Sequence, residues 1–172
     1  MKYSFLLSFL IGGIILKPNF AQAQKLDTTA INKIGFEIFE TFKNESFNDF
    51  EKHLSKSVFR SFFYKKIKLK ERLKLKKGYR EYLKTNEYIF NKIIAEGKSQ
   101  GIEWENVTFE GFIYQVEEAK NGTSCLDLEI ILKFKDENYS ITVLFADYKG
   151  VYKPIYCIGL QNISNETIII RS

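Results

Sequence analysis

Histidine, cysteine and proline are scarce in this chain: one, two and two among 172 residues. His53, the single histidine, excludes a multi-histidine metal site within one chain and leaves one imidazole for proton transfer. It sits beside Leu54 on a short apolar-faced segment, where a structural role is expected in the absence of a catalytic partner. No cysteine lies near the end of the leader described below, which argues against a lipid anchor. Nothing after Ala23 is apolar for the roughly 20 residues that a membrane-spanning helix needs. No enzyme signature and no nucleic-acid-binding motif is found. The expectation is no catalytic constellation, no metal, no cofactor and no nucleic-acid partner.

The first residues have the form of a secretory signal peptide. Lys2 supplies a positive start, Phe5 to Leu16 is apolar apart from Ser8 and two glycines, and Ala21-Gln22-Ala23 offers small residues where a signal peptidase reads. Residues 1–23 are therefore expected to be removed before Gln24, which makes the protein secreted or periplasmic with no transmembrane segment in the mature chain. Residues 24–172 are long enough for one domain and short for two. With 45% hydrophobic residues, 16 Phe and 10 Tyr, they can bury a substantial core.

Charge is unevenly spread. Residues 60–84 hold eleven Lys and Arg against Glu71 and Glu81, an excess of nine, while the rest of the mature chain has thirteen basic residues against nineteen acidic. The basic patch is centred on Lys70, Arg72, Lys74, Lys76 and Lys77. It suits an anionic envelope surface, or else is a solvated face attracted to the acidic remainder.

Helical spacing comes first along the chain. Ile31, Ile34, Ile38, Phe39 and Phe42 share one face of a helix starting near Asp27-Thr28-Thr29. Ser46 followed by Asp49 resembles a capping box opening a second helix with Phe47, Phe50 and Leu54 inward. The basic stretch reads as helix through Phe59, Phe62, Phe63 and Ile67, although Ile67/Leu69 and Leu73/Leu75 also alternate like strands. Gly78 is expected to interrupt it before a helix from Tyr79 to Gly97. From Ile102 the period changes to two. Asn121-Gly122, Asp136-Glu137-Asn138 and Asp147–Gly150 then mark turns between strands at 106–120, 123–134, 139–146 and 151–160. Helices first and sheet second mean an α+β fold, with N-terminal helices packed on a curved antiparallel sheet of about four strands.

The elements Phe39-x-x-Phe42 and Phe47-Asn48-Asp49-Phe50-Glu51-x-x-Leu54, a further helix and a closing meander resemble the nuclear transport factor 2 superfamily of cystatin-like cones. The resemblance spans about residues 27 to 160. It implies a sheet wrapped around a helix with a pocket at the open end, in a family that includes ketosteroid isomerases and polyketide cyclases beside many binding and dimerising modules. In isomerase-like relatives a carboxylate in the cone acts as base. Pairing the strands through the turns above puts Gln115, Glu117, Tyr139, Tyr152 and Tyr156 on the core side, with Glu117 the one carboxylate.

The same pairing separates Cys125 from Cys157 by eight residues along one strand, roughly 27 Å at strand rise, so no intrachain disulfide is expected. It also lines up Phe112, Ile131, Thr142 and Ile155 across the outer face of the sheet. An apolar row on a charged face calls for a cover, either Ile168-Ile169-Ile170 or a second protein, a homodimer partner included. The leading expectation is a non-enzymatic binding module for a protein or small ligand. The alternatives are a small isomerase- or cyclase-like enzyme using Glu117 and the tyrosines, and an envelope-associated protein docking by its basic segment.

Overall fold

The computed structural model describes residues 28–63, 72–118 and 123–163. Helices α1 (Thr28–Lys43), α2 (Phe47–Glu51), α3 (Lys56–Phe63) and α4 (Arg72–Ser99) come first. After a 3-10 turn at Trp104–Asn106 come the strands β1 (Thr108–Glu118), β2 (Ser124–Phe134), β3 (Glu137–Tyr148) and β4 (Val151–Ile163). The strands pair antiparallel in the order β1-β2-β3-β4, an open meander. The α+β expectation, with N-terminal helices preceding a four-stranded sheet, is met.

The helix ends follow from local chemistry. At the end of α1, Glu45 takes a left-handed φ of 50°, its N–H donates to Phe42 O, and the Ser46 N–H donates to Thr41 O, which closes a Schellman-type cap. Ser46 then caps α2: its Oγ accepts from the Asp49 N–H at 3.3 Å and donates to the Asp49 carboxylate at 2.7 Å. At the other end of the layer Gly101, with φ 83°, donates to Lys98 O, and Ile102 donates to Gly97 O, so α4 ends by the same device. Lys98 Nζ reaches Glu45 Oε2 at 2.5 Å and ties the two caps together.

Helix α4 runs straight through Gly78 and on past Gly97 to Ser99, against the expected interruption and the earlier stop. A glycine inside a helix costs about 1 kcal/mol relative to alanine, a penalty that neighbouring packing overrides. The leader, Asn121-Gly122 and the C-terminal isoleucines lie outside the described residues.

Alternation in the strands builds the core. Leu126, Leu128, Ile130 and Leu132 of β2 and Ile141, Val143 and Phe145 of β3 are wholly buried. Register places each beside the next: Leu126↔Phe145, Leu128↔Val143, Ile130↔Ile141. Above them Phe42 stacks on Phe90 at 4.4 Å, and Phe50 and Trp104 close the cluster. Gly35 of α1 lets that helix approach β1 and β2, since a β-carbon there would meet Phe112 Cε1 at 2.7 Å and Leu128 Cδ2 at 2.8 Å.

The turns are tighter than expected, and this changes the register. The β2–β3 hairpin closes at Phe134↔Glu137 around Lys135, whose φ is 56°. The β3–β4 hairpin closes at Tyr148↔Val151 on Lys149-Gly150, both with positive φ, as a type I′ turn requires. Each of these shifts the pairing by two residues and keeps the faces. In the first hairpin Phe112 faces Ile130 rather than Ile131. A one-residue slip exchanges the two faces of a strand. The expected row Phe112–Ile131–Thr142–Ile155 therefore does not exist. Phe112 points at α1; Ile131 and Thr142 are on the outer face but on different rungs; Ile155 is buried, bulged between Pro154 and Tyr156. Because the bulge takes Ile155 out of the ladder, its carbonyl is available to Tyr82 of α4, whose hydroxyl donates to it.

Candidate functional site

The five residues expected in a pocket are divided between the two faces of the sheet. Tyr139 and Tyr152 lie on the helix side but at opposite ends of β3: Tyr139 pairs with Asn162, and Tyr152 with Asp147. Eight residues of strand separate those positions, roughly 26 Å. Tyr139 is buried and donates to Glu137 at 2.6 Å, while Tyr152 shares a 2.7 Å hydrogen bond with Ser124. The hydrogen bond to Glu137, followed by burial, pushes the Tyr139 phenol up to about 12.

Gln115, Glu117 and Tyr156 sit together instead on the outer face. The Gln115 amide donates to Glu117 at 2.7 Å, and the rung Gln115–Asp127–Leu144–Tyr156 crosses all four strands. The correction follows from the one-residue slip in β1 and from the bulges in β4. Asp127 belongs to this patch and was missed by sequence reasoning, although it alternates with Leu126 and Leu128 and so had to face away from the core. It is half-buried with an unpartnered Oδ1. Burial, then the neighbouring Glu117 and Glu129 charges, raise its carboxyl above the usual range. Burial, then Asp127, push the Tyr156 phenol up to about 12. The separation of Glu117 from Tyr139 and Tyr152 leaves the supposed acid–base pocket unassembled.

His53 is half-buried, with Nδ1 at 3.9 Å from Glu37 Oε2, too far for a hydrogen bond. Burial lowers its pKa and outweighs the Glu37 charge, which disfavours the charged imidazole. Among the described residues no group of His, Cys, Asp and Glu is placed to hold a metal ion, and no helix is long and apolar enough to cross a membrane.

A second feature lies between α3 and α4. A groove of about 380 Å³ is lined by Lys56, Phe59, Arg60, Leu75 and Lys76. Phe59 and Leu75 are buried and form its floor, and the cations stand at its rim. Of the basic residues expected to matter, Lys76 lines this groove and Lys77 is exposed beside it. Arg72 and Lys74 fall in the first turn of α4, and Lys70 lies outside the described residues. Arg60 opens the basic segment read from the sequence, whereas Lys56 lies before it and was not singled out; their spacing of four on an aromatic-rich helix was the available signal.

Comparison with protein-family models, with curated proteins and with solved structures found no match.

Proposed function

We propose that this chain is an exported, non-enzymatic binding module of the nuclear transport factor 2-like cone type, acting through its surface. The observation behind this reading is the filled interior. Leu126, Leu128, Ile130, Leu132, Ile141 and Phe145 have no exposed area, and aromatic rings of α1, α2 and α4 pack over them. A cyclase- or isomerase-like member needs an interior chamber with a carboxylate in it. Here the helix side of the sheet is closed by its own side chains, and Glu117 faces the other way. Helices followed by a meander support the cone reading, and the Ala21-Gln22-Ala23 site supports export.

The test uses the protein recovered from its own cells. Intact mass is expected to begin at Gln24, in the envelope or medium. Photoreactive residues at exposed Gln115 and Lys76 are expected to capture material from the native envelope. A chain retained in the cytoplasm with Met1 intact, or one that captures nothing from either surface, refutes the reading.

A further inference from the structure

We infer that the α3–α4 face docks the protein on a bilayer containing anionic phospholipid; this rests on the exported-module reading above. Lys56 and Arg60 of α3 and Lys76 of α4 converge on one groove, with Lys77 exposed next to Lys76 and Arg80 exposed one turn further along α4. Among the described residues none of these five cations forms an ion pair with a carboxylate. The salt bridges of the described residues use Lys52, Lys84, Lys92 and Lys98 instead. A basic face that merely balanced the acidic remainder of the chain would have its charges paired with it. Among the described residues these charges are left without a carboxylate partner.

The apolar part of the surface selects what these charges meet. Phe63 at the end of α3 is 41% exposed, although its ring meets Phe59 at 5.2 Å and Phe62 at 4.9 Å. Aromatic area beside unpaired cations gains nothing from a fully hydrated polyanion. It gains on entering the boundary between headgroups and acyl chains, where an interfacial helix buries its apolar face by about 5–10 Å. The cations then lie at the phosphate level, and the buried floor of Phe59 and Leu75 gives the headgroup region a shaped seat. The same cations would also meet a soluble polyanion, and the test separates that from a bilayer.

The exported protein, its N-terminus verified by intact mass, is sedimented with neutral phosphatidylcholine vesicles and with vesicles containing phosphatidylglycerol. Binding to the anionic vesicles is expected to be at least tenfold stronger and to fall with added salt, roughly as several basic contacts at a negative surface require. Arg60→Glu with Lys76→Glu should remove it, Phe63→Ser should weaken it severalfold, and Lys149→Glu on the β3–β4 turn should leave it unchanged, with circular dichroism confirming the fold of each. Lys77→Glu with Arg80→Glu serves if the first pair fails to fold. No binding to anionic vesicles, equal binding to neutral ones, or indifference to the charge reversals overturns the inference. So does equal competition by heparin together with indifference to Phe63→Ser, which assigns the face to soluble polyanions. Retention of residues 1–23 by mass defeats the export reading separately.

Discussion

A β-carbon at Gly97 would lie 2.4 Å from Cζ2 of Trp104, so the absence of a side chain at residue 97 is what lets the indole fold back under the end of α4. Trp104 is 1% exposed, and its Nε1 donates to Ile94 O at 3.1 Å. The ring has nowhere to retreat. Gly97→Ala gains about 1 kcal/mol of helix propensity but overpacks at a typical cost of about 1–3 kcal/mol. Net destabilisation is expected, read as a lower urea midpoint with unchanged m-value, and Gly97→Ala with Trp104→Leu should recover part of it. A neutral or stabilised Gly97→Ala would show that the indole is not seated there.

Neither cysteine is in a disulfide and the two face opposite sides of the sheet, Cys125 across from Ala146 and Cys157 across from Val143. They are thus kept apart by the sheet itself rather than by the long separation along a strand that the expected register implied. Cys157 is buried, and desolvation pushes its thiol well above the ordinary range. Native protein should show no Cys125–Cys157 linkage in a non-reducing peptide map, and Cys157 should react with a thiol reagent only on unfolding. Cys157→Ser, which buries a hydroxyl beside apolar neighbours, should cost about 1–3 kcal/mol.

How much of this was legible in advance depended on what each element needed. Periodicity located α1 and α2 because their apolar residues recur at helical spacing, and Ser46 marked a real cap. The alternating run from Leu126 to Phe134 identified the core face of β2 because a half-buried strand repeats every two residues. Register was another matter. It depends on where a turn closes to the residue, and Lys135 and Lys149 accept left-handed φ values that composition would assign to asparagine or glycine. One residue of error in the β1–β2 pairing exchanged Phe112 with its neighbours' face and carried Gln115 and Glu117 to the wrong side. The bulge at Ile155 did the same to Tyr156. The α3–α4 groove depends on how two consecutive helices pack through Phe59, Tyr79 and Tyr82, a contact that the periodicity of neither helix announces.

Asp127 ties stability to pH. Its folded pKa is raised by burial, then by Glu117 and Glu129, so the folded state holds a proton that the unfolded state has already released. The stability this gives is complete below the ordinary carboxylate value and is lost as pH rises through the folded value. Above that window the half-buried charge is a standing penalty. Asp127→Asn should therefore raise the melting temperature at neutral pH, with the advantage shrinking as pH falls toward 3. Melts of both proteins across that range check it; an advantage greatest in acid would contradict the placement of Asp127 between two carboxylates.

Gly35 and Phe112 give a direct test of the β1 register. A methyl at residue 35 meets the Phe112 ring at 2.7 Å, and Leu128 Cδ2 at 2.8 Å limits the room on the other side. Gly35→Ala should destabilise by about 1–3 kcal/mol. Phe112→Ala should cost about 2–4 kcal/mol, since the ring is half-buried against Phe109 at 4.7 Å and Tyr114 at 6.2 Å. The two changes touch the same space, so removing the ring relieves part of the clash and the double variant should be more stable than the sum predicts by about 0.5–2 kcal/mol. Relief is partial because Leu128 stays. With Phe112 on the outer face, as the turn-derived pairing had it, the two substitutions would share no partner and their effects would add. Additivity within about 0.3 kcal/mol in urea denaturation of the four proteins in the cycle would therefore reject the pairing of Phe112 with Ile130.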